Sequence, residues 1–445
     1  MAYQTAQGWD QFRRIAAYRN FVVRPMQASA LNKAKTYDLI LNADAAWTLE
    51  SKPEWVTLDK TSGTKKTELK LTIGEMAQGS PMREGDVVFK LDGQDFRTRC
   101  HVSQYNYEHQ EDAVIELQKS TKGEKMNLMF LGDGYSPKDI SEGKYLKDMQ
   151  EAYQHFFAIE PYKTYREYFN AHTAIAVSPE SGIGGVNTII HNKFHTYNKA
   201  GTLGAANMEQ GEAEIFEYAK LAPTINESTL ASTVVVMVPN TKDYGGICYM
   251  YGDGSAIAYC PLSDYEYPFD FRGVVQHEAG GHGFGKFGDE YIYTNGFIDA
   301  CGCPNAHVGE FKAGQAMGWY GNMSLSGKPN EVPWSHLIFH DKYHVYVDVF
   351  EGGYFHTRGV FRSEQNSCMN NNIPYYSTWC RELIVRRIKE LAGEPYSFEE
   401  FVANDKEGVQ KDPASTRSML TDYVSLKPMH QNAPVIRKQR PRLNK

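Results

Sequence analysis

The sequence predicts an α+β chain, with an N-terminal β-sandwich followed by a mixed α/β domain. Three observations carry this. Residues 36–41, 67–72 and 86–91 alternate apolar and polar side chains with period two between turn-rich connections, the pattern of strands with one buried face. Residues 126–131, 172–177 and 233–238 are short, nearly continuous apolar runs, as expected of strands buried on both faces. Finally, residues 274–291 gather His277, Glu278, His282, Asp289 and Glu290 among five glycines, which neither a strand nor an ordinary helix requires.

Composition bounds the rest. A chain of 445 residues that is 41% apolar and 13% aromatic can bury a large core and is expected to hold two or three domains. We place the first domain at residues 1–110, the second at 111–395 and a C-terminal extension at 396–445. A net charge of −7 argues against a nucleic-acid binder. No stretch approaches the roughly 18 apolar residues that span a bilayer, and the first residues lack the basic-then-apolar pattern of a signal peptide. The expectation is a soluble chain, compatible with a mature form whose export segment has been removed. Seven cysteines, an odd number, are too few for a disulfide scaffold. The Cys301-Gly302-Cys303-Pro304 turn is read as structural or disulfide-forming, because no second cysteine pair follows at zinc-finger spacing.

In the first domain, runs at 47–49, 55–58 and 98–104 complete a small sandwich. In the second, the run at 126–131 ends at Gly132-Asp133-Gly134. A helix follows through Tyr145, Met149, Tyr153, Phe156 and Phe157, apolar at intervals of three and four. Residues 178–185 are too turn-rich for an element and read as a loop on the side of the histidine cluster. Residues 244–259 contain a strand just ahead of that cluster, expected to leave a sheet edge open to an extended peptide. Residues 292–375 read as loop-rich, and His307, His336, His340, His344 and His356 in it as ordinary polar residues. Residues 379–391 form an amphipathic helix stopped by Gly393 and Pro395. Beyond it, residues 396–445, basic at 437–442, read as an arm lying on the body or a loose tail.

The histidine cluster is read as a zinc site. In His-Glu-x-x-His the two imidazoles, four residues apart on one helix face, reach one metal, and the Glu activates its water. Here His277 and His282 are five apart, which on a regular α-helix turns the second imidazole about 140° from the first. A π-type bulge within residues 278–281 absorbs the extra residue, and Gly280-Gly281 admits it. The alternative is that the two glycines break the helix and the histidines lie in a surface turn. A third ligand is needed, and Asp289 and Glu290 are the nearest. If Gly285 ends the helix and residues 286–288 turn back, Asp289 arrives at the metal and Glu290 makes a supporting bond. Asp289 is preferred, with Glu290 open.

Asp289-Glu290-Tyr291, then residues 351–354, 359–362 and 366–369, stand in the order found in the IgA peptidase family of zinc metallopeptidases, which the chain resembles. The resemblance implies a metzincin-like zincin domain and a zinc endopeptidase. His277, His282 and Asp289 would hold one zinc ion, Glu278 would serve as general base and acid, and Met369 would form an apolar floor below the metal. The implied partner is a protein or glycoprotein bound as an extended chain, and the implied location is secreted or at the cell surface. The first domain is similar to BACON-type modules, which implies a carbohydrate- or surface-associated accessory role; a plain spacer is the simpler alternative. Two other functions stay open, a non-hydrolytic surface-binding protein on the same fold and an exopeptidase of the His-Glu-x-x-Gly-His type with a distant Glu ligand. An intact Glu278 favours hydrolysis, and the matches after residue 350 favour the endopeptidase.

Overall fold

Alternation along the strands builds the first unit. In the computed structural model, which describes residues 20–199, 202–205, 208–299, 306–406 and 433–443, the chain divides into units of residues 1–110 and 111–445. Leu39 and Leu41 of Lys35–Asn42, Leu69, Leu71 and Ile73 of Thr67–Ile73, and Val87, Phe89 and Leu91 of Arg83–Leu91 are all buried, every second residue facing one core. One sheet orders Val22–Arg24, Lys35–Asn42, Thr67–Ile73 and Val56–Leu58; the other orders Gln27–Ala30, Arg97–Gln104, Arg83–Leu91, Trp47–Ser51 and Ser62–Gly63. Their inner faces share one cluster, in which the Trp47 ring meets Phe89 edge-on at 5.4 Å. This is the expected sandwich.

The second unit is organised by a seven-stranded sheet. Its order is Val114–Gln118, Phe169–Ala174, Met126–Asp133, Thr233–Pro239, Ala256–Tyr259, Ile247–Tyr251 and Val435–Arg437. The four inner strands from Phe169–Ala174 to Ala256–Tyr259 run parallel and are buried along their whole length, which is why they read as continuous apolar runs. Ile247–Tyr251 is antiparallel to Ala256–Tyr259. The helix Lys144–Phe156 buries Tyr145, Met149, Ala152 and Phe156.

Four expectations shift. The strand placed at 172–177 lies at Phe169–Ala174; residues 175–177 stay buried beyond it, Ile175 exchanging backbone bonds with Ala113 and Asp112 and Ser178 N donating to Tyr135 O. Residues 184–185 of the supposed loop pair in a small sheet with Thr196–Lys199 and Thr202–Ala205, held by buried Asp133, which accepts from Gly134 N, Ser178 Oγ, Phe194 N and Thr196 N. The stretch 292–375 is more ordered than its glycines suggest: Ile292–Phe297, Phe355–Arg362, Met323–Ser324 and Phe350–Gly353 form a sheet whose register shifts hide any simple alternation. Of the C-terminal extension, Phe398–Asn404 is a helix and Val435–Arg437 completes the large sheet, so it is more than an arm. The helix Thr378–Ala392 is as expected, capped by the Ser377 side chain and ended by Gly393 at φ 71°. Cys301 and Cys303 lie outside the described residues; Cys100, Cys248, Cys260, Cys368 and Cys380 are free and buried.

Candidate metal centre

The helix bearing the histidines starts at Asp270, whose carboxylate accepts from Gly273 N at 2.8 Å. Phe271–Val274 is α-helical, and Val275–Phe284 continues as a ten-residue π-helix. A single bulge was expected; the structure instead spreads the wider turn over the whole segment. With bonds from residue i to i+5, as in Gly285 N to Gly280 O at 2.9 Å, side chains five apart share a face. The ring centres of His277 and His282 accordingly lie 4.8 Å apart.

The glycines admit close neighbours. A Cβ at Gly281 would overlap Met369 Sδ, and one at Gly280 would overlap the Tyr376 hydroxyl and lie 3.1 Å from the Tyr162 ring. The Tyr162 hydroxyl donates to Gly280 O and the Tyr376 hydroxyl to Gln276 O, fixing the helix from below. Gly285 does not make the turn as expected. Its φ is −69°, and the left-handed residue is Lys286 at φ 60°, whose buried ammonium donates to Gly283 O at 2.6 Å. Gly285 is small because a Cβ there would lie 2.6 Å from the Phe287 ring.

The turn returns Asp289 to the histidines. His277 Nδ1 lies 2.9 Å from Cys368 O and His282 Nδ1 lies 2.7 Å from Phe287 O. Carbonyls only accept, so in each neutral ring the proton sits on Nδ1 and the Nε2 lone pair faces inward. Both Nε2 atoms point at Asp289 Oδ1, at 3.0 and 3.2 Å, and all three side chains are fully buried. Burial drives His277 toward its neutral form. At His282 burial acts the same way, but the Asp289 carboxylate outweighs it and holds the imidazole up to about 9. The raised value at His282 reflects the pull of Asp289 on a positive charge at this spot, which either a proton on His282 or a metal ion between the three inward atoms supplies. Tetrahedral ligands about 2.0–2.1 Å from zinc would be roughly 3.3–3.4 Å apart, so this donor set fits. Among the described residues it is the one such group of three.

Glu278 lies beside this group, fully buried, and neither of its carboxylate oxygens has a partner; burial pushes its carboxyl up to about 8. A Cβ on Gly246 would lie 2.6 Å from Glu278 Oε1, so the backbone just ahead of strand Ile247–Tyr251 runs against this carboxylate. Glu290 is turned away. It accepts from Asn322 Nδ2 at 3.0 Å and from Ser367 Oγ, while Asn322 also pairs with Gly288 N and O at 2.9 Å. Glu290 N donates to Met369 O at 2.8 Å, and the Met369 thioether packs against Gly281 of the helix. His307 and His356 bond each other at 2.8 Å, and His336 bonds Glu382 at 2.8 Å; none of them belongs to the group of three. Sequence reasoning placed Gly246 in the edge segment but not against Glu278, and it missed Asn322 and the carbonyls of Phe287 and Cys368. Cys368 carried a signal through its place in the 366–369 motif and Phe287 through the 286–288 turn, whereas Asn322 carried none.

Residues 115–299 match the family described as IgA Peptidase M64, which bears out the family resemblance and supports a peptidase. No curated protein matches the chain. Among solved structures, a Bacteroides ovatus GH5 xyloglucanase in complex with a XXXG heptasaccharide is 13% identical over 23% of this chain and 24% of its own, at a TM-score of 0.18. A Porphyromonas gingivalis W83 protein of unknown function is 15% identical over 25% of this chain and 57% of its own, at 0.17. A C. elegans MSP family member, WR4, is 11% identical over 20% of this chain and 100% of its own, at 0.16. The chain thus covers less than two thirds of the first and of the Porphyromonas protein, and none of these likenesses carries an argument.

Proposed function

We propose that the chain is a zinc-dependent endopeptidase, on the premise that residues 115–299 match the IgA Peptidase M64 family. The observation that carries the reading is the convergence of His277 Nε2, His282 Nε2 and Asp289 Oδ1 beside a carboxylate, Glu278, that no protein group satisfies. Zinc, when bound, supplies a Lewis acid for the scissile carbonyl and a water of lowered pKa. The carbonyls of Cys368 and Phe287 hold the Nδ1 edges of His277 and His282, so both Nε2 atoms are aimed inward without a metal being needed to orient them. Glu278 takes the proton of the attacking water and delivers it to the leaving amine; its unpartnered oxygens and raised affinity for a proton suit both halves of that task. An extended peptide would add to the sheet edge at Gly246 by main-chain hydrogen bonds. A binding protein without hydrolysis would gain nothing from leaving a buried carboxylate unsatisfied, which costs stability. An exopeptidase with a distant Glu ligand has no support among the described residues, where Asp289 completes the group.

The test is direct. The purified chain is analysed for metal and then incubated with a denatured protein, its products being mapped by mass spectrometry. About one zinc per molecule and internal cleavages, both lost on chelation, are expected. Cleavage confined to chain ends, or full activity without metal, would refute the reading.

A further inference from the structure

The strand expected to leave an open edge is half covered by the chain itself. Val435–Arg437 pairs in parallel with Ile247–Tyr251, matching Tyr249 with Val435, Met250 with Ile436 and Tyr251 with Arg437, and Gly252 N donates to Arg437 O at 2.8 Å. Ion pairs hold it there. Arg437 meets Glu212 at 3.1 Å, and Arg440 meets Glu227 at 2.8 Å and Asp253 at 3.2 Å. Glu212 is 1% exposed and the Arg440 side chain 9%, so each pair has one buried member, while Glu227 and Asp253 face solvent and their pairs are correspondingly screened. The basic run at 437–442 therefore has acidic partners in its own unit.

The first half of the edge has no such cover among the described residues. Gly246, where the backbone meets Glu278, lies three positions ahead of Tyr249, the first residue paired with the C-terminal strand. A peptide adding antiparallel, the more stable ladder, moves one residue toward its own amino end for each step from Gly246 to Tyr251. It meets the C-terminal strand after about three such steps.

Resting on the peptidase reading, we propose that the C-terminal strand Val435–Arg437 bounds the substrate cleft, limiting edge pairing to about three residues on the amino side of the residue facing Gly246. On the carboxyl side no equivalent stop is present among the described residues: Tyr244 packs with Tyr265, which is half exposed, and beyond it the chain leaves the sheet. The strand acts as a length gauge on one side only.

The test uses the full, zinc-loaded chain and peptides built on one mapped cleavage site, extended stepwise to about six residues on either side. For the natural chain, kcat/KM should rise with the first two or three residues on the amino side and then level off, while carboxyl-side additions follow no such limit. The Arg437→Gln/Arg440→Gln variant removes all three ion pairs and leaves the strand sequence otherwise intact; a chain ending at residue 432 serves as a second form. Hydrogen exchange across residues 249–252 reports release of the strand independently of activity, and thermal melting reports the fold. With the strand released, peptides longer than about three residues on the amino side should gain roughly tenfold, the scale of one or two main-chain hydrogen bonds, while the shortest are unchanged. A natural chain that keeps gaining beyond that length, a limit on the carboxyl side instead, or a limit that survives loss of protection at 249–252 would overturn the proposal while leaving the peptidase reading intact. Absence of any cleavage would remove the peptidase reading, and this one with it.

Discussion

Replacing Gly281 with alanine sets two effects of opposite sign against each other. Helix propensity alone favours alanine by about 1 kcal/mol. The structure opposes it, because the new Cβ would overlap Met369 Sδ and lie 2.9 Å from Met369 Cε. Met369 is fully buried, so its flexible thioether can give way only by repacking among buried neighbours. Overpacking of this kind costs ~1–3 kcal/mol, so Gly281→Ala is expected to be net destabilising by up to ~2 kcal/mol, and to loosen zinc because the helix shifts off the floor. The pairing gives an internal control. Met369→Ala alone leaves a cavity and should cost ~2–5 kcal/mol, but in the Gly281→Ala background the added methyl fills part of that space, so the two changes should couple by ~0.5–3 kcal/mol. Urea unfolding of the zinc-loaded single and double variants, with metal analysis of each, measures this. Additive energies, or a Gly281→Ala protein as stable as the parent, would refute the contact between helix and floor.

Loss of either His277 or His282 to alanine should abolish zinc retention, and Asp289→Asn should weaken it, whereas Glu290→Gln should keep the metal but lose stability through its bonds to Asn322 and Ser367; metal content and thermal melting separate the two carboxylates. Glu278→Gln should retain zinc and fold while peptide cleavage falls by about 10²–10⁴; an active variant would remove the proposed chemistry. Buried Lys286 is held down to about 7 by desolvation, against about 10.4 in the unfolded chain. Over that window the unfolded state binds more protons, so this residue makes stability rise with pH by up to ~1.4 kcal/mol per unit, a slope Lys286→Met should lose. Denaturant midpoints at about pH 7, 8 and 9 compare them, and equal slopes would place the ammonium in water.

The period-two strands of the first unit and the continuous runs of the second were legible because side-chain direction follows chain position: Leu69 and Leu71 on one side, every residue of Thr233–Pro239 buried. His277, Glu278 and His282 stood out as candidates in the sequence because one unusual spacing joined two histidines and a carboxylate, residue types that share one chemistry. What the spacing required of the backbone was only partly readable. A single bulge and a ten-residue π-helix both bring residues five apart onto one face, and the choice between them lies with Tyr162, Tyr376 and Met369, which press on Gly280 and Gly281 from distant parts of the chain. Asp289 and Glu290 are adjacent, and nothing local separates them; Asn322 and Ser367 do so by claiming Glu290. The edge beside Gly246 was read as open because a strand's outer neighbour cannot be inferred from its own residues. It took the folded chain to bring Val435–Arg437 back across nearly two hundred positions, since backbone pairing is chosen by geometry and not by side-chain pattern.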